Sequence, residues 1–168
     1  LQAWARLGTQ GEGAPLSMEA VALAAELMDQ DGEKEAGDYV RVCADCWLRG
    51  QDASRLLSED IDVCRGTDGG LTVSLRLGVR ERGESTKTGP AQGVIVDHPK
   101  IAAMLAQRKR ETPKGAKIFR ISKVRIGALW ARALLQIGHP HRPLHSLRHA
   151  GPSRDAYISY RQIADISK

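Results

Sequence analysis

No stretch of this sequence holds the roughly 18 consecutive apolar residues that would cross a membrane. The N-terminus has neither a basic n-region nor a small-residue cleavage site, so insertion and secretion lack support and a soluble, intracellular chain is the expectation. Cysteine is scarce: Cys43, Cys46 and Cys64 are the whole set. Cys43 and Cys46 form a C-x-x-C with no second pair to complete a zinc site, which favours buried free thiols over half of a metal centre. His139, His141, His145 and His149 stand close together, but without cysteine or carboxylate partners nearby, so no metal is expected there. Internal repeats and low-complexity segments are absent as well.

What remains is a chain of 168 residues, 42% of them hydrophobic, enough for one core and short for two. It opens at Leu1 rather than at a methionine and ends at Ser167-Lys168 inside a helical pattern, so both ends read as cuts in a longer protein. Lysine and arginine number 25 against 20 acidic residues. The excess gathers in the C-terminal half, at Arg108-Lys109-Arg110, Lys114, Lys117, Arg120, Lys123, Arg125, Arg132, Arg142, Arg148 and Arg154. Such asymmetry suits a polyanionic partner, although charge alone fits many proteins that bind no nucleic acid.

Residues 1–15 carry three glycines and little periodicity, the pattern of a linker or the remnant of a preceding domain. The structured unit is expected over 16–168. Ser17, Glu19 and the apolar run to Met28 predict a capped helix closed by Asp31-Gly32. A second helix is predicted over 33–48, burying Ala36, Tyr39, Val40, Cys43 and Trp47, and a short one over 52–57. Between residues 61 and 96 the pattern changes. Leu71, Val73, Leu75 and Leu77 alternate with polar residues, and Asp68-Gly69-Gly70 and Lys87-Thr88-Gly89-Pro90 supply turns, which predicts a small antiparallel sheet. Helical periodicity returns over 99–110 and 122–137, the latter with Val124, Ala128, Leu129, Leu135 and Ile137 available for burial. A loop over 138–143, a turn of helix over 145–149, a break at Gly151-Pro152 and a last helix over 153–166 complete the chain. The strands cluster instead of alternating with helices. This defines an α+β class: a mainly helical domain around one three-stranded antiparallel sheet.

Three boxes in this order carry chemistry. In the first, Arg49 is followed three residues later by Asp52, then by a leucine-containing turn and Asp60-Ile61. Alone, Arg49 also suits a surface cation at the negative end of a helix. The second is Lys87-Thr88-Gly89-Pro90 leading into Val94-Ile95-Val96, where an exposed hairpin lysine equally serves solubility. The third is Leu144-His145-Ser146-Leu147-Arg148-His149, with His145 and Arg148 on one face of a helical turn. Together these boxes resemble those of the catalytic domain of tyrosine recombinases, the phage-integrase family, and the resemblance runs over about the whole of residues 16–168.

The resemblance implies double-stranded DNA as partner, no metal or nucleotide cofactor, and cleavage through a covalent 3′-phosphotyrosine. Arg49 and Arg148 would clamp the phosphate, because planar, permanently charged guanidiniums hold its oxygens bidentately as charge builds up. Lys87 would protonate the leaving 5′-hydroxyl. His145 would donate to a phosphate oxygen or move a proton, as an imidazole titrating near neutrality can. Asp52 and His149 would support, Asp52 by orienting Arg49 or its neighbours.

The chain also departs from the family pattern. The attacking tyrosine is expected roughly 30 residues beyond Arg148. Tyr157 and Tyr160 come too early and read as helix-packing residues, so no nucleophile is expected within the chain. Ala150-Gly151-Pro152 interrupts a helix the family continues. Trp47 stands where small residues are usual, and a separate N-terminal domain survives at most as a remnant around Trp4. Two further readings stay open: a DNA-binding remnant without strand cleavage, and an unrelated helical interaction domain. Self-association on DNA is implied by the family. A monomer is expected if the exchanged C-terminal segment is required for assembly.

Overall fold

A computed structural model describes residues 16–67, 69–84 and 91–150. The expected linker at 1–15, the hairpin box at Lys87, the break at Pro152, the last helix and both late tyrosines lie outside the described residues.

Helix α1 (Met18–Gln30) starts where the Ser17 hydroxyl accepts the Ala20 amide at 3.2 Å, and it buries Ala20, Val21, Ala24, Ala25 and Met28. Helix α2 (Lys34–Asp45) follows after three residues and packs along it. Gly37 permits the close approach: a Cβ there would lie 2.3 Å from Asp29 Oδ1 and 2.9 Å from the Ala25 carbonyl oxygen. Helix α2 ends at Asp45, three residues earlier than its periodicity suggests, because Trp47 turns left-handed at φ 54° and the Leu48 amide bonds back to the Cys43 carbonyl at 3.0 Å. Trp47 is therefore off the helix and 46% exposed, not on its buried face. Short helix α3 spans Gly50–Arg55, two residues ahead of the expected position.

The sheet is the one expected. Strand β1 (Ile61–Arg65) pairs antiparallel with β2 (Leu71–Leu77), which pairs antiparallel with β3 (Gln92–Val96), in the order β1-β2-β3. Alternation places Ile61, Val73, Leu75, Leu77 and Val96 in the core, where helix α4 (Pro99–Glu111) presents Ile101, Ala102, Leu105 and Ala106. Cys43 and Cys46 are buried free thiols as expected, but Cys64 is exposed because its strand position points off the core face.

Helix α5 (Lys123–Gln136) corrects a second expectation. Its buried residues are Ile126, Leu129, Trp130, Ala133 and Leu134, while Val124 is 84% and Leu135 78% exposed. Ala128 is exposed and Ile137 half-buried, so of the expected set Leu129 alone is fully interior. The helix is apolar around most of its circumference, so spacing admits two stripes. Trp130, the largest side chain, settles the choice by burying its ring and donating Nε1–H to the Arg142 carbonyl at 2.7 Å. That bond fastens the loop ahead of the third box to α5.

Candidate nucleic-acid interface

Arg49 is placed by backbone on both sides. Leu48 before it is buried, and Arg49 itself caps α3 in extended conformation, its carbonyl accepting the amides of Asp52 at 2.9 Å and Ala53 at 3.1 Å. It stands four residues past the end of α2 and at the positive end of α3, so the helix-dipole explanation for a cation here does not apply. The next residue is pinned from below. Tyr39 donates its hydroxyl to the Gly50 carbonyl at 2.7 Å, Ser54 donates to the same oxygen at 2.7 Å, and the Tyr39 ring meets Phe119 edge-on at 5.4 Å. Gly50 allows this contact, since a Cβ would sit 2.9 Å from the Tyr39 oxygen.

Burial holds the Tyr39 hydroxyl well above the ordinary phenol range, with the neighbouring Cys43 adding to the effect, so the donor stays protonated. Burial likewise pushes the Cys43 thiol up to about 12. Sequence reading placed Tyr39 in the core but missed its part under Arg49. The available signal was a hydroxyl-bearing aromatic on the buried face shortly before an Arg-Gly pair.

Asp52 is half-buried on α3 and forms no hydrogen bond or ion pair with Arg49. Its charge is felt instead by Tyr39 and Cys43, whose ionisation it opposes. The other acid of the first box has a firm structural role. Asp60 is 1% exposed, accepts the Leu57 amide at 2.9 Å, and grips Arg82 through two bonds of 2.8 and 2.7 Å. Arg82 also meets Glu84 at 3.1 Å, and these carboxylates hold its guanidinium firmly charged. It sits in the turn Arg80–Arg82 just past β2, so the first box is tied to the connection between β2 and β3. The Ala91 amide bonds to the Gly78 carbonyl at 2.8 Å and closes the base of that connection.

The third box forms a turn at Leu144–Ser146 followed by helical residues 147–150. Leu147 and Ala150 are buried and Leu144 packs on the core, which leaves His145 exposed and Arg148 half-buried. His149 is exposed and carries a contact of its own. No hydrogen bond or ion pair joins Arg49, His145 and Arg148 to one another among the described residues.

Charge bookkeeping separates the arginines. Six described arginines are half-buried: Arg41, Arg49, Arg82, Arg108, Arg142 and Arg148. Arg41 meets Asp29 at 2.8 Å, Arg82 holds Asp60, and Arg108 bonds Asp38 at 2.7 Å while lying over the Phe119 ring. Arg142 carries a contact as well. Arg49 and Arg148 have no acidic partner among the described residues. The basic excess read from sequence is correspondingly smaller, because Arg125 pairs with Glu33 at 2.6 Å and Arg132 with Asp31 at 2.5 Å. Arg110, Lys114, Lys117, Arg120 and Lys123 remain exposed. A shallow recess beside Asp52 also contains Arg55, Asp60, Arg76, Arg82 and Glu84, a balanced set of charges unsuited to an anion. Among the described residues no group of three histidine, cysteine or acidic side chains is arranged to hold a metal, and no helix is long and apolar enough to cross a membrane.

The helices and sheet together make the fold of tyrosine-recombinase catalytic domains. It is shared with the XerH site-specific recombinase in its pre-cleavage complex with difH substrate, at TM-score 0.58 and 13% identity over 85% of this chain and 44% of that one. The post-cleavage XerH complex with palindromic difH gives 0.59 and 14% identity over 85% and 43%. The Tn1549 transposon integrase in complex with transposon right end DNA gives 0.55 and 16% identity over 94% and 58%. The chain thus spans less than half the length of the XerH chains. No protein-family model matches it, nor does any curated protein sequence.

Proposed function

We propose that this chain is the DNA-binding catalytic portion of a tyrosine recombinase, acting inside the cell on double-stranded DNA. The observation that carries the reading is the pair of half-buried arginines, Arg49 and Arg148, without acidic partners among the described residues, while Arg41, Arg82 and Arg108 are neutralised from within. A guanidinium partly withdrawn from water and given no counter-charge is suited to an anion from outside. The phosphate of DNA supplies it.

In the proposed reaction a tyrosine oxygen attacks the scissile phosphorus, the phosphorus–O5′ bond breaks, and a 3′-phosphotyrosine forms. Arg49 and Arg148 stabilise the charge spreading over the non-bridging oxygens. Lys87 delivers the proton to the departing 5′-oxygen, and His145 donates to a phosphate oxygen or relays the proton leaving the tyrosine. Asp52 supports through its charge at the base of the first box, and His149 flanks Arg148. The phosphotyrosine conserves the energy of the broken bond, so no nucleotide or metal enters the scheme. Tyr157 and Tyr160 follow Arg148 by only nine and twelve residues, so the attacking tyrosine is sought further along the protein.

The test is to extend the reading frame past Lys168, incubate that protein with nicked duplex DNA, and look for a covalent adduct. An adduct that disappears in Arg148→Ala supports the scheme. DNA binding without an adduct assigns the same residues to a phosphate-binding remnant of a mobile-element integrase.

A further inference from the structure

Trp47 combines two features, a left-handed backbone and an exposed aromatic surface. It occupies the position just past the cap of α2, where the chain turns left-handed at φ 54°, and the return bond from the Leu48 amide to the Cys43 carbonyl marks this as the place glycine takes by default. A bulky L-residue is strained there. Its flanking neighbours Cys46 and Leu48 are buried, yet Trp47 is 46% exposed, and its indole N–H has no partner among the described residues. The fold therefore carries both backbone strain and bare aromatic surface at one residue, two positions before Arg49. Strain retained at an aromatic residue left nearly half exposed points to a use outside the folded chain.

We infer that Trp47 is a DNA-contacting residue of the Arg49 site, its indole packing on the deoxyribose beside the phosphate that Arg49 holds. This rests on the proposed function, because it places DNA at Arg49. The chemistry is complementary: a nucleotide offers a phosphate for the guanidinium and, one bond away, a largely apolar sugar face for an aromatic ring. The indole N–H is free to donate to an adjoining phosphate oxygen. Sequence alone suggested a packing role for this residue. The exposed position and the left-handed backbone suggest contact with the ligand.

The experiment measures fluorescence anisotropy of a labelled random-sequence duplex across a salt series, with the parent chain, Trp47→Gly, Trp47→Phe and Arg49→Ala, each also melted thermally. Trp47→Gly is expected to weaken binding by about five- to tenfold, toward the low end of aromatic–nucleotide contacts, while the slope of log affinity against log salt stays at the parent value. Its Tm should rise by about 2 °C as the strain is relieved. Trp47→Phe keeps a ring and should recover most of the affinity. Arg49→Ala should lower the salt slope by about one. If Trp47→Gly binds like the parent while Arg49→Ala loses affinity, the Trp47 contact is wrong and the functional reading stands. A salt slope lowered by Trp47→Gly as much as by Arg49→Ala makes Trp47 a support for the arginine and also overturns the contact. Unchanged binding in both variants overturns the contact and the DNA reading together.

Discussion

Arg49 and Arg82 are both half-buried, yet they are treated in opposite ways. Arg82 is held by Asp60, Glu84 and Glu59, and Asp60 is itself sealed from water. Arg49 is fixed through its backbone by α3 and Tyr39, and its guanidinium has no partner among the described residues. The difference teaches that a buried arginine's partner, more than its charge, reports its task. Where an acid of the chain meets it, the pair joins elements. Where no acid meets it among the described residues, the charge is open to the phosphate proposed above.

The largest expected effect comes from breaking the paired side. Arg82→Ala strands the Asp60 carboxylate in the core and should lower stability by about 3 kcal/mol, whereas Arg49→Ala should change it by less than about 0.5 kcal/mol. Urea denaturation of both variants checks this, and equal losses would erase the distinction. Next is a pH effect from the two buried thiols. Burial raises Cys43 and Cys46 from an ordinary value of 9.0 to about 12. The folded state then binds more protons than the unfolded chain between these values, so stability is fully present below pH 9.0 and falls as pH rises toward 12. The loss should be on the order of 1 kcal/mol per thiol for each pH unit in that window, and replacing both cysteines by alanine should flatten it. Smaller again, Tyr39→Phe removes the donor to the Gly50 carbonyl and should cost about 1 kcal/mol in thermal unfolding, with a measurable loss of DNA affinity because the Arg49 backbone loosens. The smallest effect is at an exposed apolar position: Leu135→Gln should stay within about 0.5 kcal/mol in the same melt.

Much of the fold could be read from local pattern. Ser17 announces its helix because a hydroxyl at the cap satisfies a free amide, and it does so here. The alternation from Leu71 to Leu77 marks a strand with one buried face, and it is one. The failures arise where tertiary structure chooses between equal local options. Helix α5 offers two apolar stripes, and Trp130 with its bond to Arg142 selects the one that leaves Val124 and Leu135 outside. The end of α2 was missed because Trp47 stands where a glycine would have signalled the turn. Of the candidate site, Arg49, His145 and Arg148 were legible as boxes, but the pairing of Asp60 with Arg82 spans 22 residues of chain and has no local signature. Asp52, expected to orient Arg49 or its neighbours, makes no hydrogen bond or ion pair with Arg49.

The most direct test of the central claim is the salt dependence of duplex binding by Arg49→Ala and Arg148→Ala, with stability measured on the same samples. The account predicts that each substitution lowers the slope of log affinity against log salt by about one and leaves the unfolding midpoint nearly unchanged. Parental slopes in both variants, or losses of stability as large as that of Arg82→Ala, would contradict it and return both arginines to the scaffold.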